Sequence, residues 1–72
     1  MSQYVAVGTS VVLAHFTGES RIAAELADHA SAKQAAKLLN RARHLNDVRR
    51  KYTASARTIM AAESLPSFRW ID

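Results

Sequence analysis

The stretch LLNRARHLNDVRRKYTASARTI, residues 38–59, decides what this chain of 72 residues is expected to fold into. Within it an apolar side chain recurs at every seventh position, namely Leu38, Leu45, Tyr52 and Ile59. A sustained seven-residue repeat keeps one seam of a helix facing a partner. Because no glycine or proline interrupts residues 19–65, the pattern predicts a helix whose seam packs against another element.

The boundaries of this helix follow from its flanking residues. Ser31 and Gln34 have the spacing of a capping box, and Pro66 cannot continue a helix, so we expect a helix over residues 32–64. An unbroken helix of that length would measure about 50 Å, whereas a domain of this size has a radius of gyration of about 11 Å. We therefore expect either a bend near residues 46–54 or a second copy of the chain that covers the seam.

Upstream of this helix, the spacing favours another helix over residues 18–29. Thr17 can cap it, and Ile22, Leu26 and Ala30 would share one face. The β-branched and aromatic residues before it, from Tyr4 to Val12, predict one strand or two short strands hinged at Gly8. A buried helix over residues 10–16 is the alternative for that segment.

The C-terminal residues 67–72 predict an extended tail that carries two of the five aromatic residues. This tail either folds back onto the helices, pairs as a strand with residues 4–13, or stays exposed for docking. The expected fold is then mainly α, as a single small helical domain over residues 1–72. It has two or three helices, a short β-prone N-terminal segment and the extended tail.

Basic residues are concentrated in the long helix. Residues 33–57 contain eight lysines and arginines and one acid, Asp47, whereas the rest of the chain is net acidic. A row of cations along a helix can follow the phosphates of a nucleic acid, although a solvated outer face has the same composition. The predicted nucleic-acid-binding residues are Lys37, Arg43, Arg49, Arg50, Lys51 and Arg57.

Two function classes remain open. The first is a small regulatory protein that binds nucleic acid through this basic helical face. The alternative is an inhibitor or adaptor that docks on an acidic or apolar protein surface, through the helical face or through Phe68, Arg69 and Trp70 in the tail. The seam of Leu38, Leu45, Tyr52 and Ile59 packs either within the chain or against that partner or a second copy, and the expected assembly is a homodimer. Weaker alternatives are a helix-turn-helix over residues 32–52 and a helix lying on a membrane surface.

Catalysis is not expected. The chain has no cysteine, its three histidines share no ligand spacing, and no glycine-rich loop or acid pair is present. We predict no enzyme activity, no metal site and no cofactor. The apolar residues 4–16 lack a basic start and are too short to span a bilayer as a helix, so no membrane anchor is expected and the predicted location is cytoplasmic.

Overall fold

The computed structural model describes residues 2–71, which form three strands, two helices and a short fourth strand in chain order. The elements are β1 Ser2–Val7, β2 Ser10–His15, β3 Ser20–Glu25, α1 His29–Asp47, α2 Tyr52–Glu63 and β4 Arg69–Trp70. The fold is therefore mixed α/β, and the expectation of a mainly α protein is wrong.

The strands form one antiparallel sheet in the order β1-β2-β3-β4. Strands β1 and β2 are joined through Gly8 and Thr9, and Gly8 has a φ of 61°, which suits the first central position of a type II′ hairpin turn. Two strands hinged at Gly8 agree with the N-terminal pattern. The alternative helix over residues 10–16 is wrong, because residues 10–15 form β2.

The predicted helix over residues 18–29 is also wrong, because its central half, residues 20–25, is strand β3. Ile22 lies opposite Val12 and Ala24 lies opposite Val11, with a bulge at this point of the register. Helical spacing in this segment rests on only a few apolar residues, whereas pairing with β2 satisfies the backbone and buries Ala24 completely. The long-range pairing therefore overrides the local preference.

Helix α1 begins before the position that the sequence predicted. Its N-cap is Asp28 rather than Ser31, and the Ser31 backbone N–H donates to Asp28 Oδ1 at 2.7 Å. This hydrogen bond, with a smaller contribution from the Ser31 hydroxyl, lowers the pKa of Asp28 because it favours the ionised carboxylate. The cap therefore stabilises the fold above the usual carboxyl pKa, and this stabilisation is lost as the pH falls below it.

The long helix expected over residues 32–64 is divided into α1 and α2 by residues 48–51, within the stretch predicted to bend. Arg50 has a φ of 53° there, and the Lys51 N–H donates to the Leu45 carbonyl at 2.8 Å. The chain reverses at this point, so α2 packs back on α1. Within residues 2–71, neither helix combines the length and apolarity that crossing a membrane requires.

Helix α1 packs on one face of the sheet and α2 packs mainly on α1, and the core is rich in alanine. Val11 is the largest fully buried side chain, and it is packed with Ala24, Ala32, Ala35 and Leu39. Small side chains let the helix backbones approach the sheet closely, but each buries little apolar area. The core therefore gains much from the partly buried residues around it, which include Tyr4, Leu38, Ile59, Leu65 and Phe68.

The C-terminal segment is held by the sheet. Trp70 lies opposite Ala24 and Arg69 opposite Glu25, so the tail pairs with β3 and not with residues 4–13. The Ile71 N–H also donates to the Ala23 carbonyl at 2.9 Å. Phe68 packs against the core and meets Trp70 edge to face, with ring centroids 5.1 Å apart. The expected extended tail is thus a short edge strand, with Asp72 outside the described residues.

At the opposite edge of the sheet, a side chain of α1 hydrogen-bonds to backbone groups of β1 that no other strand within residues 2–71 pairs with. The Tyr4 N–H donates to Asn40 Oδ1 at 2.7 Å, and the Asn40 side-chain amide donates to the Tyr4 carbonyl at 2.8 Å. One asparagine therefore satisfies both backbone groups that Tyr4 would otherwise offer to another strand.

Candidate nucleic-acid interface

The reversal at residues 48–51 creates an open groove between α1 and α2. Its apolar lining residues are Leu38, Leu45, Ala54 and Ala61. Four cations line it: Arg41 from α1, Arg50 and Lys51 from the connection, and Arg57 from α2. Tyr52, Thr53 and Thr58 complete the lining, and the groove holds about 900 Å³. Its chemistry is that of an apolar surface edged by positive charge.

No carboxylate contributes to this groove among the residues that the structure describes. Across residues 2–71 the single ion pair joins Arg43 and Asp47 at 3.8 Å, and it lies on a different part of α1. The four groove cations are all exposed. They are consequently available to an anionic ligand, and their mutual repulsion favours one.

Arg50 occupies an unusual backbone conformation at the end of the groove. Its φ of 53° lies in the left-handed region, which costs a residue with a side chain about 1–2 kcal/mol and in which helix ends usually place glycine. Strained backbone of this kind is concentrated at functional sites. The arginine therefore adds a guanidinium to the groove at a position where the backbone favours glycine.

The six predicted nucleic-acid-binding residues divide into two groups. Arg50, Lys51 and Arg57 line the groove. The other three lie elsewhere: Lys37 borders the β1 edge beside Lys33, Arg43 pairs with Asp47, and Arg49 donates through Nε to His44 Nε2 at 3.3 Å. The continuous row of Arg43, Arg50 and Arg57 that one long helix would present is therefore not formed.

Sequence reasoning missed Arg41 as a site residue. It follows Leu38 by three positions and precedes Leu45 by four, so all three share one face of α1. That spacing is visible in the sequence, but it points to a groove only when α2 is known to fold back along the same face.

The predicted seam becomes part of this intramolecular arrangement. Leu38, Leu45 and Tyr52 line the groove, while Ile59 packs against the core together with Leu38. Tyr52 remains 63% exposed. A contact between this seam and a second chain stays a prediction.

The predicted docking tail is largely engaged within the fold. Phe68 is half-buried against the core, whereas Arg69 is exposed. Trp70 is 42% exposed, and its indole N–H donates to Glu63 at 2.6 Å. The tail thus joins the end of α2 to the sheet, with part of Trp70 still accessible.

Comparison with known proteins gives no assignment: no family model, no curated protein and no solved structure matches this chain. The function of this chain is therefore inferred from the groove.

Proposed function

We propose that this protein is a non-enzymatic regulatory protein that binds single-stranded nucleic acid in the groove between α1 and α2. The observation that carries the proposal is the convergence of Arg41, Arg50, Lys51 and Arg57 on one groove with no carboxylate among its described lining residues. Lysine and arginine at such a site neutralise phosphates and release condensed counterions. Arginine also binds a phosphate through two N–H groups at once.

The shape of the groove favours a single strand over a duplex. Packed helices lie about 8–10 Å apart and are in contact, so the groove is a furrow on the surface above that contact, and a double helix is too wide to enter it. Proteins that recognise the sequence of a double helix insert a protruding helix or β-ribbon into the groove of the DNA. Here the cations line a concave surface of the protein instead. A single strand can enter the groove and place its phosphates beside the cations on both walls.

Tyr52 adds a second feature of single-strand binding. Its ring is largely exposed and lies within the same lining as Arg50, Lys51 and Arg57. Unstacked bases bind exposed aromatic rings, and each such stack contributes about 1–3 kcal/mol. The expected complex has one base on Tyr52 and flanking phosphates on the cations. The cytoplasmic location expected from the sequence remains part of the proposal, since RNA is abundant in that compartment.

An acidic protein surface is the second candidate ligand for this groove. The apolar lining residues Leu38, Leu45 and Ala61 suit the apolar face of an amphipathic segment whose acidic residues would pair with the cations. Such a partner depends less on salt than a nucleic acid does, because burial of apolar area contributes more of its affinity. Salt dependence therefore distinguishes the two candidates.

The test is fluorescence anisotropy with labelled single-stranded DNA, single-stranded RNA and duplex DNA over a range of salt concentrations. For a single strand, the logarithm of the binding constant should fall with the logarithm of salt concentration with a slope near −0.7 per phosphate contacted. Four groove cations predict a slope of about −3. The double variant Arg41→Gln with Arg57→Gln should lose at least about tenfold in affinity, and its slope should become shallower by about 1.4.

The matched control is the double variant Lys33→Gln with Lys37→Gln, which removes the same charge from α1 outside the groove. It should keep its affinity within about twofold at physiological salt, where the screening length is about 8 Å. Equal losses in the two double variants would show that net charge, not the groove, is responsible. Absence of binding by the unmodified protein at low salt would remove the proposal altogether.

A further inference from the structure

The face of the sheet that points away from the helices carries an apolar row across three strands. Val5, Val12 and Ile22 lie opposite one another in register, and Val7 is two residues beyond Val5 on the same face. Polar side chains flank this row at both ends, including Gln3 and Ser20 on one side and Ser10 and Glu25 on the other. We call these residues the outer face.

The outer face is exposed in the single chain. Val5 is 38% exposed, Ile22 is 47% exposed and Val7 is 58% exposed. Phe16, directly after the end of β2, is 89% exposed. A sheet whose second face stays in water normally alternates to polar residues there, so a row of β-branched side chains indicates a covered face.

Charge does not oppose self-association through this face. Residues 2–25 carry one base, Arg21, and two acids, Glu19 and Glu25. The concentration of positive charge lies on the helices, which form the other layer of the molecule. Two copies that met through their sheets would therefore keep their cationic layers at opposite ends of the assembly.

The edges of the sheet favour stacking over extension. Asn40 hydrogen-bonds to both backbone groups of Tyr4 on the β1 edge. On the other side, β4 pairs with Ala24 and Glu25 and the Ile71 N–H donates to the Ala23 carbonyl, so β3 itself forms the edge only over residues 20–22. Neither edge offers a long run of free backbone groups to another chain. A second copy is thus better accommodated on the face of the sheet than beside it.

We propose that a second copy of this chain covers the outer face, so that two sheets stack with the row of Val5, Val12 and Ile22 at the centre. A two-fold axis brings the same row from each copy together, as in most homodimers. Three strands of six residues measure about 20 Å by 15 Å, and stacked sheets lie about 10 Å apart. Each copy would therefore bury about 300 Å² of this face, less than the roughly 800 Å² per partner of a standard interface, so the dimer should be weak, with a dissociation constant of about 100 µM.

This dimer differs from one formed through the seam of Leu38, Leu45, Tyr52 and Ile59. The outer face and the helices are on opposite sides of the sheet. Stacking of two sheets therefore leaves both α1–α2 grooves open to solvent. The assembly would then present two equivalent cationic grooves. It does not require that the grooves bind nucleic acid.

The experiment is sedimentation equilibrium of the full chain from about 5 to about 500 µM, a range that brackets a dissociation constant of about 100 µM. The unmodified protein should shift from 7.9 kDa towards twice that mass. Val7→Glu should raise the dissociation constant at least about tenfold, because the interface would bury an unpaired carboxylate. Val48→Glu makes the same change at a residue that is 68% exposed at the end of α1, and it should leave the constant unchanged.

Circular dichroism of each variant establishes that it is folded, and Val7 is exposed enough for the substitution to be tolerated in the single chain. Val5→Glu, in the central row, should abolish the dimer and provides a second measurement. A mass of 7.9 kDa at every concentration would overturn the proposal, as would a Val7→Glu protein that dimerises as the unmodified chain does.

Discussion

At the scale of single residues, Arg50 combines a cost to stability with a place in the cationic groove. Its left-handed backbone would suit glycine, yet its side chain lines the groove with Arg41 and Arg57. A residue selected for folding alone would avoid this combination. A change to glycine at this position removes the strain and the charge together. Nucleic-acid binding should therefore weaken while stability does not fall, which distinguishes the two roles.

Arg50→Gly should leave the free energy of unfolding unchanged or raise it by up to about 1 kcal/mol, since relief of strain is partly offset by the greater entropy of the unfolded chain. The same change should weaken binding of a single strand and make the salt slope shallower by about 0.7. Urea unfolding and anisotropy measure the two effects. Arg49→Gly is the control, because Arg49 does not have a positive φ; it should lower stability and leave the slope unchanged. A marked loss of stability in Arg50→Gly would contradict this account of the strain.

At the scale of elements, α1 and β1 are joined by a side chain that imitates a neighbouring strand. Asn40 receives the Tyr4 N–H and donates to the Tyr4 carbonyl, as an adjacent strand would do. Both groups of Tyr4 are partly buried. Loss of the Asn40 side chain would leave the N–H and the carbonyl of Tyr4 without a hydrogen-bond partner. It would also expose that part of the sheet edge to another strand.

Asn40→Ala should therefore lower the free energy of unfolding by about 1–3 kcal/mol and increase aggregation at high concentration. Thermal unfolding and light scattering measure these effects. Gln34→Ala, which removes an exposed amide from the same helix, should change neither. An unchanged midpoint in Asn40→Ala would show that water replaces the asparagine at no cost.

The same elements show what the sequence alone could predict. The helical residues of 32–64 and the place of their break follow from local patterns, and so do the two N-terminal strands. Strand β3 does not, because its pairing with β2 and β4 joins residues that are distant in sequence. Asn40 and Arg41 acquire their roles through the same kind of distant contact: Asn40 meets a strand 36 residues away, and Arg41 faces the second helix.

At the scale of the whole molecule, the C-terminal segment joins the two layers. The Ala27 N–H donates to the Pro66 carbonyl at 3.2 Å, Phe68 packs on the core, and Trp70 contacts both β3 and Glu63 of α2. A chain of this size has little stability in reserve, because a single small core supplies only about 3–5 kcal/mol. The alanine-rich core makes the contribution of Phe68 correspondingly important.

A chain that ends after Pro66 should therefore lose at least about 2 kcal/mol of stability, because it gives up the burial of Phe68 and the pairing of β4. For a protein of this size that loss lowers the unfolding midpoint by at least about 8 °C, measurable by circular dichroism. Arg69→Ala is the control within the same segment, since its side chain is exposed, and its midpoint should match that of the full chain. An unchanged midpoint after truncation would show that the tail adds nothing to the fold, and the tail would again be a candidate docking element for a protein partner.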